Sequence, residues 1–131
     1  MATTLTAGDI AIIGFNFDNN DEFSFVLLRD IESGTAINFT DKGWLSTNTF
    51  RSGEGTYTWT ASSNLTAGTV LKITSTDLTG SNVSLDSAGD QITAYQVQGS
   101  SNVLLYAVNS EGTGWQSTAS DANTSALTRT T

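Results

Sequence analysis

Apolar residues in this chain fall in short blocks, such as Ile10-Ala11-Ile12-Ile13 and Phe23-Ser24-Phe25-Val26-Leu27-Leu28, separated by clusters of Gly, Asn, Asp and Ser. No window sustains the i, i+3, i+4, i+7 recurrence of an amphipathic helix, whereas runs rich in β-branched and aromatic residues between turn formers read as strands. The pattern predicts strands at 9–17, 22–30, 35–40, 56–60, 69–75, 91–97 and 102–109. Within Thr56-Tyr57-Thr58-Trp59-Thr60 the aromatic and hydroxyl residues alternate, as expected of a sheet with one buried and one wet face. The turn residues fit this division. Asp18-Asn19-Asn20-Asp21 separates the first two strands with residues that tolerate left-handed backbone, and Gly53-Glu54-Gly55, Thr79-Gly80-Ser81-Asn82 and Gln98-Gly99-Ser100-Ser101 punctuate later ones. About seven or more antiparallel strands at this spacing predict an all-β fold, a β-sandwich in preference to a barrel.

The phrase Leu5-Thr6-Ala7-Gly8-Asp9-Ile10 returns as Leu65-Thr66-Ala67-Gly68-Thr69-Val70. Each places a Gly-containing turn just before an apolar strand, which reads as shared turn chemistry rather than duplication. A length of 131 residues is that of one domain. The sandwich is expected within residues 1–109. Residues 110–131 are poor in apolar side chains and read as a loop or linker segment, or as a truncated part of the same domain.

Charge and composition then narrow the function. Thirteen Asp and Glu against five Lys and Arg give a net charge of −8, a field that repels phosphate backbones and anionic lipid. Nucleic acid is therefore not an expected partner, and no apolar run is long enough for membrane insertion as a helix. His and Cys are both absent, which removes the commonest general base, disulfides and the usual zinc and haem ligands. Pro is absent too, leaving edge strands to be protected by charge and bulges. The first residues lack the basic segment and apolar run of a classical signal peptide.

Three stretches resemble the lamin-tail-domain superfamily in its bacterial extracellular form. The first is Ala7-Gly8-Asp9-Ile10-Ala11-Ile12-Ile13-Gly14-Phe15-Asn16 with Glu22-Phe23-Ser24-Phe25-Val26-Leu27-Leu28. The second is Phe39-Thr40-Asp41-Lys42-Gly43-Trp44, followed by Tyr57-Thr58-Trp59 and Leu65-Thr66-Ala67-Gly68-Thr69-Val70-Leu71-Lys72-Ile73. The third is Ser87-Ala88-Gly89-Asp90-Gln91-Ile92-Thr93-Ala94-Tyr95. Together they span about residues 5 to 108 in the family's order. The resemblance implies an immunoglobulin-like β-sandwich from a large bacterial, especially cyanobacterial, surface or exported protein, where such domains sit beside calcium-binding repeats or hydrolase domains. It also implies an extracellular or cell-surface location reached without an N-terminal signal peptide.

Asp18, Asn19, Asn20, Asp21 and Glu22 crowd oxygen ligands into five residues, the donor type that calcium takes. Asp18, Asn20 and Asp21 are the candidate calcium ligands, although the spacing is not that of an EF-hand and a polar hairpin turn is the plainer reading. Asp41, Glu54, Asp86 and Asp90 are the acids that would complete such a site if their loops converge. Among the tryptophans, Trp44 and Trp59 are expected to be buried, and Trp115, in Gly112-Thr113-Gly114-Trp115-Gln116, is the candidate ligand contact. Glu22 and Glu54 are the one carboxylate pair that invites a glycosidase reading, and nothing in the sequence positions them. No catalytic residue is assigned, and calcium is the one cofactor considered. The expectation is a non-catalytic structural or interaction module that contacts a protein partner or identical copies. Loops 18–21, 46–55 and 110–116 are its expected contact surfaces. A carbohydrate-binding module with a glycan partner, or an accessory domain of a larger secreted hydrolase, is the alternative.

Overall fold

Alternation in Glu22-Phe23-Ser24-Phe25-Val26-Leu27 sets the plan of the molecule: Phe23, Phe25 and Leu27 are buried, and the residues between them turn outward. In the computed structural model, which describes residues 2–16, 21–45, 49–53, 55–85 and 91–109, this segment is the second of seven strands. The elements are β1 (Ile10–Asn16), β2 (Glu22–Leu27), β3 (Ala36–Thr40), β4 (Thr56–Thr60), β5 (Val70–Ile73), α1 (Ser75–Leu78), β6 (Gln91–Gln98) and β7 (Ser101–Asn109). They form two antiparallel sheets, one in the order β1-β2-β5 and one in the order β4-β3-β6-β7. The sheets pack face to face in a sandwich-like arrangement, as the strand pattern predicts.

Between them lies the core. Phe23 and Phe25 of the first sheet meet Phe39 of the second at centroid distances of 5.0 and 4.9 Å, and Trp59 stands edge-on to Phe25 at 5.2 Å. Leu5, Ile10, Ile37, Ile73, Ile92 and Leu105 fill the space around these rings. Full burial of each such side chain contributes roughly 1.5–3 kcal/mol. This is how a chain with no Cys holds two layers together.

The repeated phrase folds the same way twice. Asp9 N–H donates to Thr6 O at 3.1 Å and Thr69 N–H to Thr66 O at 3.2 Å, around glycines at φ +89° and +96°. A third copy carries different letters: Thr35 N–H donates to Glu32 O at 3.2 Å around Gly34 at φ +90°. This is the type II turn pattern, which needs positive φ at its third residue. In all three the glycine N–H also reaches a neighbouring segment, at Leu105 O, Leu27 O and Ala61 O respectively. The turns launch β1, β5 and β3.

Two strands end sooner than the pattern predicts. After Leu27 the chain bends, and Asp30 Oδ1 accepts the Ala67 N–H at 2.8 Å, tying the bend to the turn before β5. After Ile73, Thr74 caps α1 through a reciprocal pair of bonds with Asp77. A four-residue helix is too short to leave a 3.6-residue period in the sequence. At the start of the chain, Leu5 is buried and Gln96 fixes the segment leading to it. Gln96 Oε1 accepts the Leu5 N–H at 2.8 Å, and its Nε2 donates to Thr3 O at 3.0 Å and Ala36 O at 3.3 Å.

Candidate functional site

At one end of the sandwich two acids, one from each sheet, hold the same strand of backbone. Asp21 immediately precedes β2 and Asp41 immediately follows β3. Asp41 Oδ2 accepts the Ser84 N–H at 2.9 Å, and Asp21 Oδ2 accepts the next amide, Leu85 N–H, at 2.8 Å. The connection from α1 toward β6 is thereby clasped across the gap between the layers. Gly55 makes this approach workable, because a Cβ there would lie 2.1 Å from Ser81 O and 2.3 Å from the Asn82 carbonyl carbon. Thr40 Oγ1 donates to Gly55 O at 2.6 Å and Gln91 Nε2 to Asp41 O at 2.6 Å, closing the knot.

Asp41 is 1% exposed, and its Oδ1 has no hydrogen-bond partner. Burial pushes its pKa above the ordinary value of 3.8, against the amides of Ser84, Asp41 itself and Gly55 and the charge of Lys42, which all favour the ionised form. The arrangement is a backbone clasp with one carboxylate under desolvation stress.

Of the candidate calcium ligands, Asp21 is the described one, and it faces the Leu85 amide; Asp18 and Asn20 lie outside the described residues, as do Glu54, Asp86 and Asp90. The structure brings Asp21 and Asp41 to adjacent amides, and among the described residues no three acids gather as a metal site. Trp115 also lies outside the described residues. Trp44 is buried, as expected, while Trp59 is half-buried at the sandwich edge. Glu22 sits 3.5 Å from Lys72 across β2 and β5, a surface ion pair.

The two outer faces of the sandwich differ. Residues 43–45 and 49–51 lie side by side over the four-stranded sheet, joined by Leu45 N–H to Thr49 O at 2.8 Å and Arg51 N–H to Gly43 O at 2.7 Å. Trp44 of this flap is buried against Tyr95 and Leu104, with Phe50 at the margin, edge-on to Trp44 at 4.8 Å and tilted against Tyr95 at 4.9 Å. Phe50 belongs to an expected contact loop, and here it packs inward. The three-stranded sheet carries no such cover among the described residues. Val26 pairs directly with Ala11 on one side and Val70 on the other, forming an outward row. Val70 is 55% exposed, Leu28, which continues the outward alternation of β2, is 54% exposed, and Ile13 of β1 is 55% exposed. Ion pairs stand at the two ends of this band: Lys72–Glu22, and Arg29–Asp9 at 3.4 Å.

Loop-centred sequence reasoning passed over this band. Its signal is the run Val26-Leu27-Leu28, where strict alternation gives way and apolar residues fall on both faces. No protein-family model matches the chain, and no curated protein and no solved structure matches it either.

Proposed function

We propose that the chain is a non-catalytic structural or interaction module of an exported bacterial protein, an immunoglobulin-like sandwich of the lamin-tail kind. Its contact surface is the bare outer face of the three-stranded sheet. The observation that carries this reading is the apolar band of Ala11, Ile13, Val26, Leu28 and Val70 held between two ion pairs, an apolar centre with a polar margin. Its occupant is another protein, with an apolar face of its own and a neutral or basic margin, because this chain's net charge of −8 repels acidic surfaces. Binding would proceed by removing these side chains from water on a rigid two-layer frame. The absence of His and Cys, and the engagement of Glu22 with Lys72, support a role without catalysis. Of the described tryptophans, Trp44 is buried and Trp59 is half-buried against Phe25, so neither stands as a fully exposed platform for a sugar.

The test places a photoreactive side chain at position 70 of the full chain in producing cells. A discrete protein adduct that disappears on Leu28→Lys is the expected result. No adduct, or one indifferent to the added charge, defeats the reading, as does reproducible turnover by the purified chain.

A further inference from the structure

Four strands stand at sheet edges, β1 and β5 in one sheet and β4 and β7 in the other. An open edge invites another strand, and proteins blunt their edges with bulges, charge or brevity. Three of these are blunted. β1 carries an extra residue, Ile13, where Ile12 pairs with Phe25 and Gly14 with Ser24. β7 carries one at Leu105, between Tyr106 paired to Ala94 and Leu104 paired to Tyr95, and Gly8 N–H takes the Leu105 carbonyl at 3.1 Å. β5 is four residues long and presents Lys72.

β4 carries neither a bulge nor a charge of its own, and it is one residue longer than β5. Thr56-Tyr57-Thr58-Trp59-Thr60 pairs with β3 in unbroken register and contains no charge, no Pro and no bulge. Along its other side it makes no backbone hydrogen bond to a described residue. We propose that β4 pairs antiparallel with β4 of a second copy about a two-fold axis at Thr58, joining two four-stranded sheets into one.

The occupant is argued from the strand's own symmetry. About that axis Thr58 faces its counterpart, Thr56 faces Thr60, and Tyr57 faces Trp59, so hydroxyl meets hydroxyl and ring meets ring at every position. Such cross-strand pairs are what stabilise a sheet, and a two-fold interface requires this self-complementarity. Tyr57 and Trp59 are half-buried within one copy, which leaves ring surface for the other. The strand itself is uncharged, but each copy carries −8, so added salt strengthens the pairing by screening the repulsion. The inference rests on the interaction-module reading while using a different surface from the bare face.

Sedimentation velocity on the full chain over a concentration series reads the outcome. A species of twice the monomer mass should appear with concentration and grow with salt; Thr58→Lys should abolish it, and Val70→Lys should leave it unchanged. The chain has no Cys, so Thr58→Cys supplies a lone thiol that should oxidise to a disulfide-linked dimer, whereas Thr60→Cys, opposite Thr56, should not. A wild type that stays monomeric throughout, a dimer that survives Thr58→Lys, or equal cross-linking at positions 58 and 60 overturns the proposal. A dimer lost with Val70→Lys instead moves the contact to the bare face, overturning the β4 pairing while sparing the module reading. Should Thr58→Lys fail to fold, the two cysteine variants decide the matter.

Discussion

The outer faces of the two sheets are built from similar side chains and meet opposite fates. Over the four-stranded sheet, residues 49–51 run back alongside 43–45, and Trp44 and Phe50 close on Tyr95 and Leu104 as a second small core. Over the three-stranded sheet, Val26, Leu28 and Val70 face outward without such a cover among the described residues. An apolar residue on a strand does not by itself say whether it belongs to the fold or to a partner. Among the described residues, what separates the two faces is the pair of segments 43–45 and 49–51 laid over one of them.

Removing the cover tests this contrast most severely. Trp44→Ala should cost about 3 kcal/mol, the scale of emptying a buried aromatic site, as read by urea denaturation. A loss under about 1 kcal/mol would mean that the flap does not seal its face. Gly55→Ala comes next. The new methyl would press on backbone at Ser81 and Asn82 rather than on a side chain that can swing aside, and a cost of about 2 kcal/mol is expected from the forced shift. On the bare face Val70→Ser should change stability by no more than about 0.5 kcal/mol, since the side chain is already wet. A larger loss would show that this face supports the fold.

Asp41, at the root of the flap, adds a pH test. Its pKa is raised in the folded protein, so folding disfavours the ionised form. The sign follows: its contribution is most favourable below the unfolded value of 3.8 and is lost as pH rises through the raised folded value. At neutral pH the carboxylate is a net burden, and Asp41→Asn should ease it while still accepting the Ser84 N–H. Comparing melts of the two proteins between about pH 7 and about pH 4, the advantage of the Asn variant should shrink as the solution becomes more acid. An advantage that grows with acidity would mean that Asp41 is stabilised as an anion.

The strands were legible in the sequence because half-buried sheets write a two-residue period, clear in Thr56–Thr60 and Glu22–Leu27. Type II turns were legible as a repeated phrase, although the third, at Glu32–Thr35, shares only the Gly and the geometry. Beyond the β1–β2 hairpin, strand pairing was not legible, nor was the clasp, because Asp41 and Ser84 lie forty-three positions apart and nothing local marks one as the other's acceptor. Candidate contacts were sought in polar loops, where composition points, while the bare face is written in the loss of alternation at Val26–Leu28.

Gln96 sits in β6, an interior strand flanked by β3 and β7, and its carboxamide grips the chain at Thr3 and Leu5 while also reaching Ala36 of β3. Tension applied through a tether upstream of Thr3 is therefore handed to the middle of the larger sheet before it can peel β1 from its margin. The sandwich is anchored from the inside.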